Sequence, residues 1–217
     1  MGRILFSGGK VNMEEPVPGP TTEVGTIWRF TSNGTFEVPD DGLYQIEMHG
    51  GGGGGGGVID VVSAYYQYEA PGQGGGGSGS LQTVSLNKGD VHQVTIGQGG
   101  AHGADDGYDA DNDVGAYTSG HGANGGTTSF GPYSVAGGYG GYGGHRTGYN
   151  PSPKYSYSGQ GVGNIASAGS NSEGTGGYGN VNNTAQTYGN GGRRSDYYSG
   201  GRNGKPGAVI ITYLGVS

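Results

Sequence analysis

Eight consecutive glycines at residues 50–57 open a stretch in which glycine keeps returning in short blocks, so that all but eight of the chain's 56 glycines lie between Gly50 and Gly207. Ordering a glycine costs about 0.5–1 kcal/mol more than ordering an alanine, because glycine has more backbone freedom to lose. Such a chain either stays a flexible linker or orders its main chain in a way that uses the missing side chains. Composition favours the linker: 56 glycines and 9 prolines make about 30% of 217 residues, a level typical of low-complexity chains when no collagen period accompanies it.

The placement of the apolar residues argues the other way. Residues 26–30, 36–38, 43–49, 81–86, 91–96, 127–130, 133–136 and 208–213 carry β-branched or aromatic residues, mostly in two-residue alternation. Within 43–49, Tyr44, Ile46 and Met48 share one face and Gln45, Glu47 and His49 the other. Asn33-Gly34 predicts a tight hairpin between 29–32 and 35–38, and residues 87–90 predict a second between 81–86 and 91–96. No segment has a sustained 3.6-residue apolar period with caps, so the expected fold is all-β with almost no α-helix.

The glycine blocks then need a structure that repays ordering without side chains. Extended, left-handed, three-per-turn polyglycine II helices leave every N–H and C=O free to bond sideways, and only glycine lets such rods approach closely on all sides. Rods are expected at 50–57, 72–79, 97–103, 120–126, 137–144, 159–163, 174–179, 189–192 and 200–204, with Gln73, Ser78, Gln98, Tyr139 and Tyr142 at outward positions. Tyr139 and Tyr142, inside a glycine block, read as packing residues.

Between the blocks lie inserts at 58–71, 104–119, 145–158, 164–173, 180–188 and 193–199. Antiparallel rods would bring alternate inserts out at one end, as a rigid scaffold displays loops. Tyr65, Tyr66, Tyr68, Tyr108, Tyr117, Tyr149, Tyr155, Tyr157, Tyr188, Tyr197 and Tyr198 sit there among Ser, Gly, Asn and Asp. Tyrosine gives a large amphipathic contact with few rotors, and the small polar residues give adaptable hydrogen bonds, as in binding loops. The candidate receptor-binding set is Tyr65, Tyr66, Tyr68, Tyr108, Tyr117, Tyr149, Tyr155, Tyr157, Tyr197 and Tyr198 with Arg193 and Arg194; the same tyrosines would equally serve as cover for the bundle.

Charge is unevenly placed. Residues 145–205 hold six of the ten Lys and Arg but two of the 17 Asp and Glu. A net charge of −7 without a basic stripe argues against nucleic acid. Arg146, Lys154, Arg193, Arg194 and Arg202 suit an acidic glycan or phosphate, or simply ion pairs within the chain. Asp109, Asp111 and Asp113 have the alternate spacing of a calcium loop, but Val114 replaces the turn glycine and Gly120 the bidentate Glu, so no metal and no cofactor is expected. Residues 120–125 match G-x-G-x-x-G ahead of a strand rather than a helix, and His49, His92, His102, His121 and His145 form no catalytic motif; the chain is not expected to be an enzyme. No cysteine is present to build disulfides, and no apolar run approaches a membrane span.

Gly34-Thr-Phe-Glu-Val-Pro39, Leu43-Tyr-Gln-Ile-Glu-Met-His49 with its glycine run, Gly125-Gly-Thr-Thr-Ser-Phe130 and Pro206-Gly-Ala-Val-Ile-Ile-Thr-Tyr213 together resemble the glycine-rich domain of bacteriophage tail-fibre and receptor-binding proteins, over about residues 26–215. More distantly, the chain resembles the glycine-rich extracellular region of anaplastic-lymphoma-kinase-type receptors, whose cysteines it lacks. The phage resemblance implies a jelly-roll or tumour-necrosis-factor-like β-sandwich with inserted polyglycine helices. It also implies a virion adhesin, made in the host cytoplasm, that binds a bacterial surface glycan or envelope protein, and a trimeric state common among tail fibres. Residues 25–217 would form that domain and residues 1–24 an arm to other tail or virion subunits, or a disordered tail. The alternative is a structural virion protein, a tail-tip connector or capsid decoration, without host binding.

Overall fold

A computed structural model describes residues 22–57, 59–60, 74–107, 117–146, 188–192 and 201–216. Among them are twelve strands and no helix: β1 (Ile27–Phe30), β2 (Gly34–Glu37), β3 (Gly42–His49), β4 (Ile59–Asp60), β5 (Gly79–Leu86), β6 (Val91–Thr95), β7 (Asp106–Gly107), β8 (Tyr117–Thr118), β9 (Thr128–Phe130), β10 (Tyr133–Val135), β11 (His145–Arg146) and β12 (Ala208–Gly215). Two antiparallel four-stranded sheets, ordered β1-β12-β3-β5 and β10-β9-β6-β2, contain all eight segments expected to be strands.

The two-residue alternation sets the core. Tyr44, Ile46 and Met48 of β3 and Val209, Ile211 and Tyr213 of β12 are fully buried, and they meet Phe36, Val94 and Phe130 of the other sheet. Phe36 is the hub: its ring lies 5.2 Å from Trp28, 6.0 Å from Tyr44 and 6.1 Å from Phe130, edge-on or tilted as the aromatic quadrupole prefers. At the pole that carries Thr22, the nearly buried Asp40 accepts from the Thr22 amide at 2.7 Å and pairs with Lys88 at 3.2 Å, holding the end of the N-terminal segment to the sheets.

Neither expected hairpin forms. β1 pairs with β12 and β2 with β6, while β5 pairs with β3, so both turns carry the chain from one sheet to the other. The turn chemistry is nonetheless used: Asn33 Oδ1 accepts from the Ile96 amide at 2.7 Å, and Gly89 takes a φ of 84°. Turn residues specify a reversal of direction, and burial of one face of each strand against the opposite sheet decided the pairing. A two-residue hairpin does join β9 to β10 through Gly131, with a φ of 52°.

Beyond the sheets the strands continue as glycine segments. Residues 50–57 prolong β3, 74–78 lead into β5, 97–104 follow β6, 119–126 lead towards β9, 136–144 follow β10 and 201–207 lead into β12. A seventh segment, 188–192, begins where the Tyr188 ring lies 6.0 Å from that of His49. Residues 50–57 are the buried centre. Their amides rotate through three neighbours: Gly50 and Gly53 donate to Ser78 and Gly75, Gly51, Gly54 and Gly57 to Gly126, Ala123 and Gly120, and Gly52 and Gly55 to Lys205 and Arg202. Their carbonyls rotate through three others: Gly51, Gly54 and Gly57 accept from Gly138, Gly141 and Gly144, Gly52 and Gly55 from Gly100 and Gly103, and Gly53 from Gly192.

The six outer segments also bond to each other in a closed ring, 74–78 to 136–144, to 119–126, to 97–104, to 201–207, to 188–192 and back to 74–78. Every adjacent pair in that ring is antiparallel by register, as in Gly122 to Gly141 followed by Gly125 to Gly138. The centre donates to its three antiparallel neighbours and accepts from its three parallel ones. A side chain has no room there: a Cβ on Gly51, Gly54 or Gly57 would overlap the carbonyls of Gln98, Ala101 or Ala104, and one on Gly50, Gly53 or Gly56 those of Ala136, Tyr139 or Tyr142. Gln98, Tyr139 and Tyr142 do face outward, but Ser78 is buried at the junction with the sheets, contrary to the outward position expected of it. The blocks at 159–163 and 174–179 lie outside the described residues.

Candidate functional site

The alternation of directions decides where the inserts leave the bundle. Residues 50–57, 97–104, 136–144 and 188–192 run away from the sheets, and 74–78, 119–126 and 201–207 run back. The connections 58–73, 105–118 and 193–200 therefore both leave and return at the end remote from the sheets, and 145–187 leaves there too. Two short ladders tie these roots together. β4, just past the central segment, pairs in parallel with β7, and β8 pairs antiparallel with β11. The roots of three inserts are thus bonded to one another rather than standing apart.

Tyr117 is the one member of the expected receptor-binding set whose backbone is described; it lies in β8 with Arg146 as its cross-strand partner. Tyr65, Tyr66, Tyr68, Tyr108, Tyr149, Tyr155, Tyr157, Arg193, Arg194, Tyr197 and Tyr198 lie outside the described residues, as do Asp109, Asp111 and Asp113 of the calcium-like spacing. Each belongs to a connection that departs from the remote end. Tyr188, by contrast, begins its segment at the sheet end, beside His49. No group of His, Asp and Glu able to hold a metal occurs among the described residues.

Several contacting residues escaped the sequence reading. His121 and Asn124 lie three apart on 119–126, and their side chains accept from the amides of Gly143 and Gly140 at 2.8 and 2.9 Å on the adjoining segment. Asn203 accepts in the same way from the His102 amide at 2.9 Å. These side chains satisfy amides that no further segment among the described residues reaches, and a polar residue at every third position of a glycine block was the available signal. Ser119 reaches inward to the Gly57 and Gly144 carbonyls, sealing the remote end. Tyr139 and Tyr142, read as packing, are instead 51% and 53% exposed. The three-residue repeat sends every third side chain away from the bundle interior.

No protein-family model matches the chain, and no curated protein does either.

Proposed function

We propose that the chain is a bacteriophage tail receptor-binding protein, a non-enzymatic adhesin that attaches the virion to a bacterial surface glycan or envelope protein. The observation that carries the reading is that the connections 58–73, 105–118 and 193–200 begin and end at the end of the bundle remote from the sheets, where 145–187 also begins. The N-terminal segment joins the fold at the opposite pole, where Thr22 is held by Asp40. A display end and an attachment end on one rigid body are what an adhesin needs. In this reading the glycine segments are polyglycine II helices, supported by the three-residue rotation of their hydrogen bonds. The sheets form a sandwich of jelly-roll or tumour-necrosis-factor-like type, and residues 1–24 dock on other tail subunits.

Purified protein, fluorescently labelled, should bind a subset of a panel of bacterial strains. Replacing Tyr65, Tyr66, Tyr155 and Tyr157 by Ala should abolish that binding while leaving the thermal midpoint unchanged. If the native protein binds no strain, yet captures subunits from disrupted virions, the chain is an assembly protein and the adhesin reading is wrong.

A further inference from the structure

The flank of the bundle formed by 119–126 and 136–144 presents two exposed tyrosines. In 136–144 the buried positions include Gly138, Gly141 and Gly144, while Ala136, Tyr139 and Tyr142 are exposed. The repeat therefore stands both tyrosines on one side of one segment, about 9 Å apart along it, at the rise of an extended three-per-turn chain. Their backbone is fixed by interior bonds: the Tyr139 carbonyl accepts from Gly75, and Gly138 and Gly141 donate to Gly51 and Gly54, all at 2.8 Å. On the adjoining segment the His121 ring stands perpendicular to that of Tyr142, with centroids 5.3 Å apart. Because its Nδ1 accepts from the Gly143 amide, the neutral ring carries its proton on Nε2, a donor at the edge of the aromatic face. Asn124 accepts through Oδ1 and keeps two N–H donors.

Two features select the ligand. Residues 114–144 contain no Lys, Arg, Asp or Glu, in a chain of net charge −7, so the two segments of this flank themselves offer no partner for an ionic group. Ala136, exposed one repeat before Tyr139 on the same segment, adds little bulk beside the rings. We propose that the flank binds a neutral glycan chain laid along the bundle, with sugar rings on Tyr139 and Tyr142. A pyranose offers an apolar C–H face and a rim of hydroxyls, matching tyrosine's apolar face and polar tip with donors beside it. Both rings stand on one rigid support, so a chain that reaches the first engages the second without further ordering of the protein.

The test uses the full chain on a panel of immobilised neutral and acidic polysaccharides. Capture of at least one neutral polysaccharide is expected, weakened about tenfold by Tyr139→Ala or Tyr142→Ala and further by the pair. The same capture should survive Tyr65→Ala with Tyr66→Ala, which separates this surface from the loops. Should the alanine pair lower the thermal midpoint, the assigned ring resonances of Tyr139 and Tyr142 in the native protein, titrated with the captured glycan, read the contact directly, and both should shift. Capture of acidic glycans only, capture unchanged in the double variant, or rings that do not shift would overturn the proposal. So would a concentration-dependent dimer abolished by the double variant, since the flank would then be covered by a second copy.

Discussion

Gly54→Ala puts one methyl group where the bundle has least room. Its Cβ would overlap the Ala101 carbonyl and crowd that of Gly100, both main-chain atoms that no rotamer change can move. Relief requires 50–57 and 97–104 to separate, and the bonds at stake are Gly54 to Ala123 at 2.9 Å, Gly141 to Gly54 at 2.8 Å and Gly103 to Gly55 at 2.8 Å. Three such bonds at about 1 kcal/mol each, with about 1–3 kcal/mol of overpacking, oppose a gain of about 0.4–1 kcal/mol from the stiffer unfolded chain. The net loss is about 4 kcal/mol, a fall of roughly 10 °C in thermal midpoint for a chain of this size. Gly34→Ala is the control, because its Cβ meets only the Phe30 ring at 3.5 Å and should be neutral or slightly stabilising. Urea titrations of both variants by circular dichroism, with amide exchange of residues 51–55 in the native protein, supply the comparison. If Gly54→Ala stays within about 1 kcal/mol of the native protein, or those amides exchange as in an unfolded chain, lateral main-chain bonding is not what orders the glycine segments.

Asn124→Ala removes the acceptor for the Gly140 amide and should lower stability by about 1 kcal/mol, with faster exchange confined to Gly140 and its neighbours; unchanged exchange there would deny the side chain its capping role. Phe36→Ala, at the contact of four aromatic rings, should cost about 3–5 kcal/mol in the same urea assay, and a loss below about 1 kcal/mol would mean the two sheets do not share that core. Burial raises the hydroxyl pKa of both Tyr44 and Tyr213 above 10.0, aided by the charges of Asp40 and Asp41. The native state then holds protons that the unfolded chain has released, so this stability is intact below about pH 10 and is lost as pH rises through the raised values. Thermal midpoints should fall steeply over that alkaline range, and Tyr213→Phe should flatten the fall; an equal decline in the variant would acquit Tyr213.

The strands were legible because alternation states a face. Tyr44, Ile46 and Met48 could be placed in a core before any partner was known, and they are fully buried. Strand pairing was not legible. Asn33-Gly34 reports only that the chain turns, and whether the next strand joins the same sheet depends on residues as distant as Thr212 and Val94, which pair with Ile27 and Gly34. In the glycine region the order of events reversed: the absence of side chains announced close approach, but the neighbour of each segment is chosen by main-chain groups that are identical at every glycine. Only the interruptions carry address information. His121 and Asn124, like Tyr139 and Tyr142, recur at the period of the segment itself, and that spacing was the local clue to which side faced out.

That division of labour bears on how loops can vary without loss of the fold. Among the described residues, six of the seven glycine segments are continuous with strands, so the sheets fix their order and direction before any insert contributes. Each of 58–73, 105–118 and 193–200 then only closes a gap between two segments already bonded side by side, as 105–118 does between Ala104 and Gly120, bonded at 2.9 Å. Closing such a gap with twice the length of chain costs only about 0.6 kcal/mol more. Insert sequence and length are therefore nearly independent of the stability of the support, whereas the segments between them tolerate no added Cβ at their centre. A binding surface that must change often is best carried on a framework of this kind, where the constraint falls on glycine alone and the freedom on everything between.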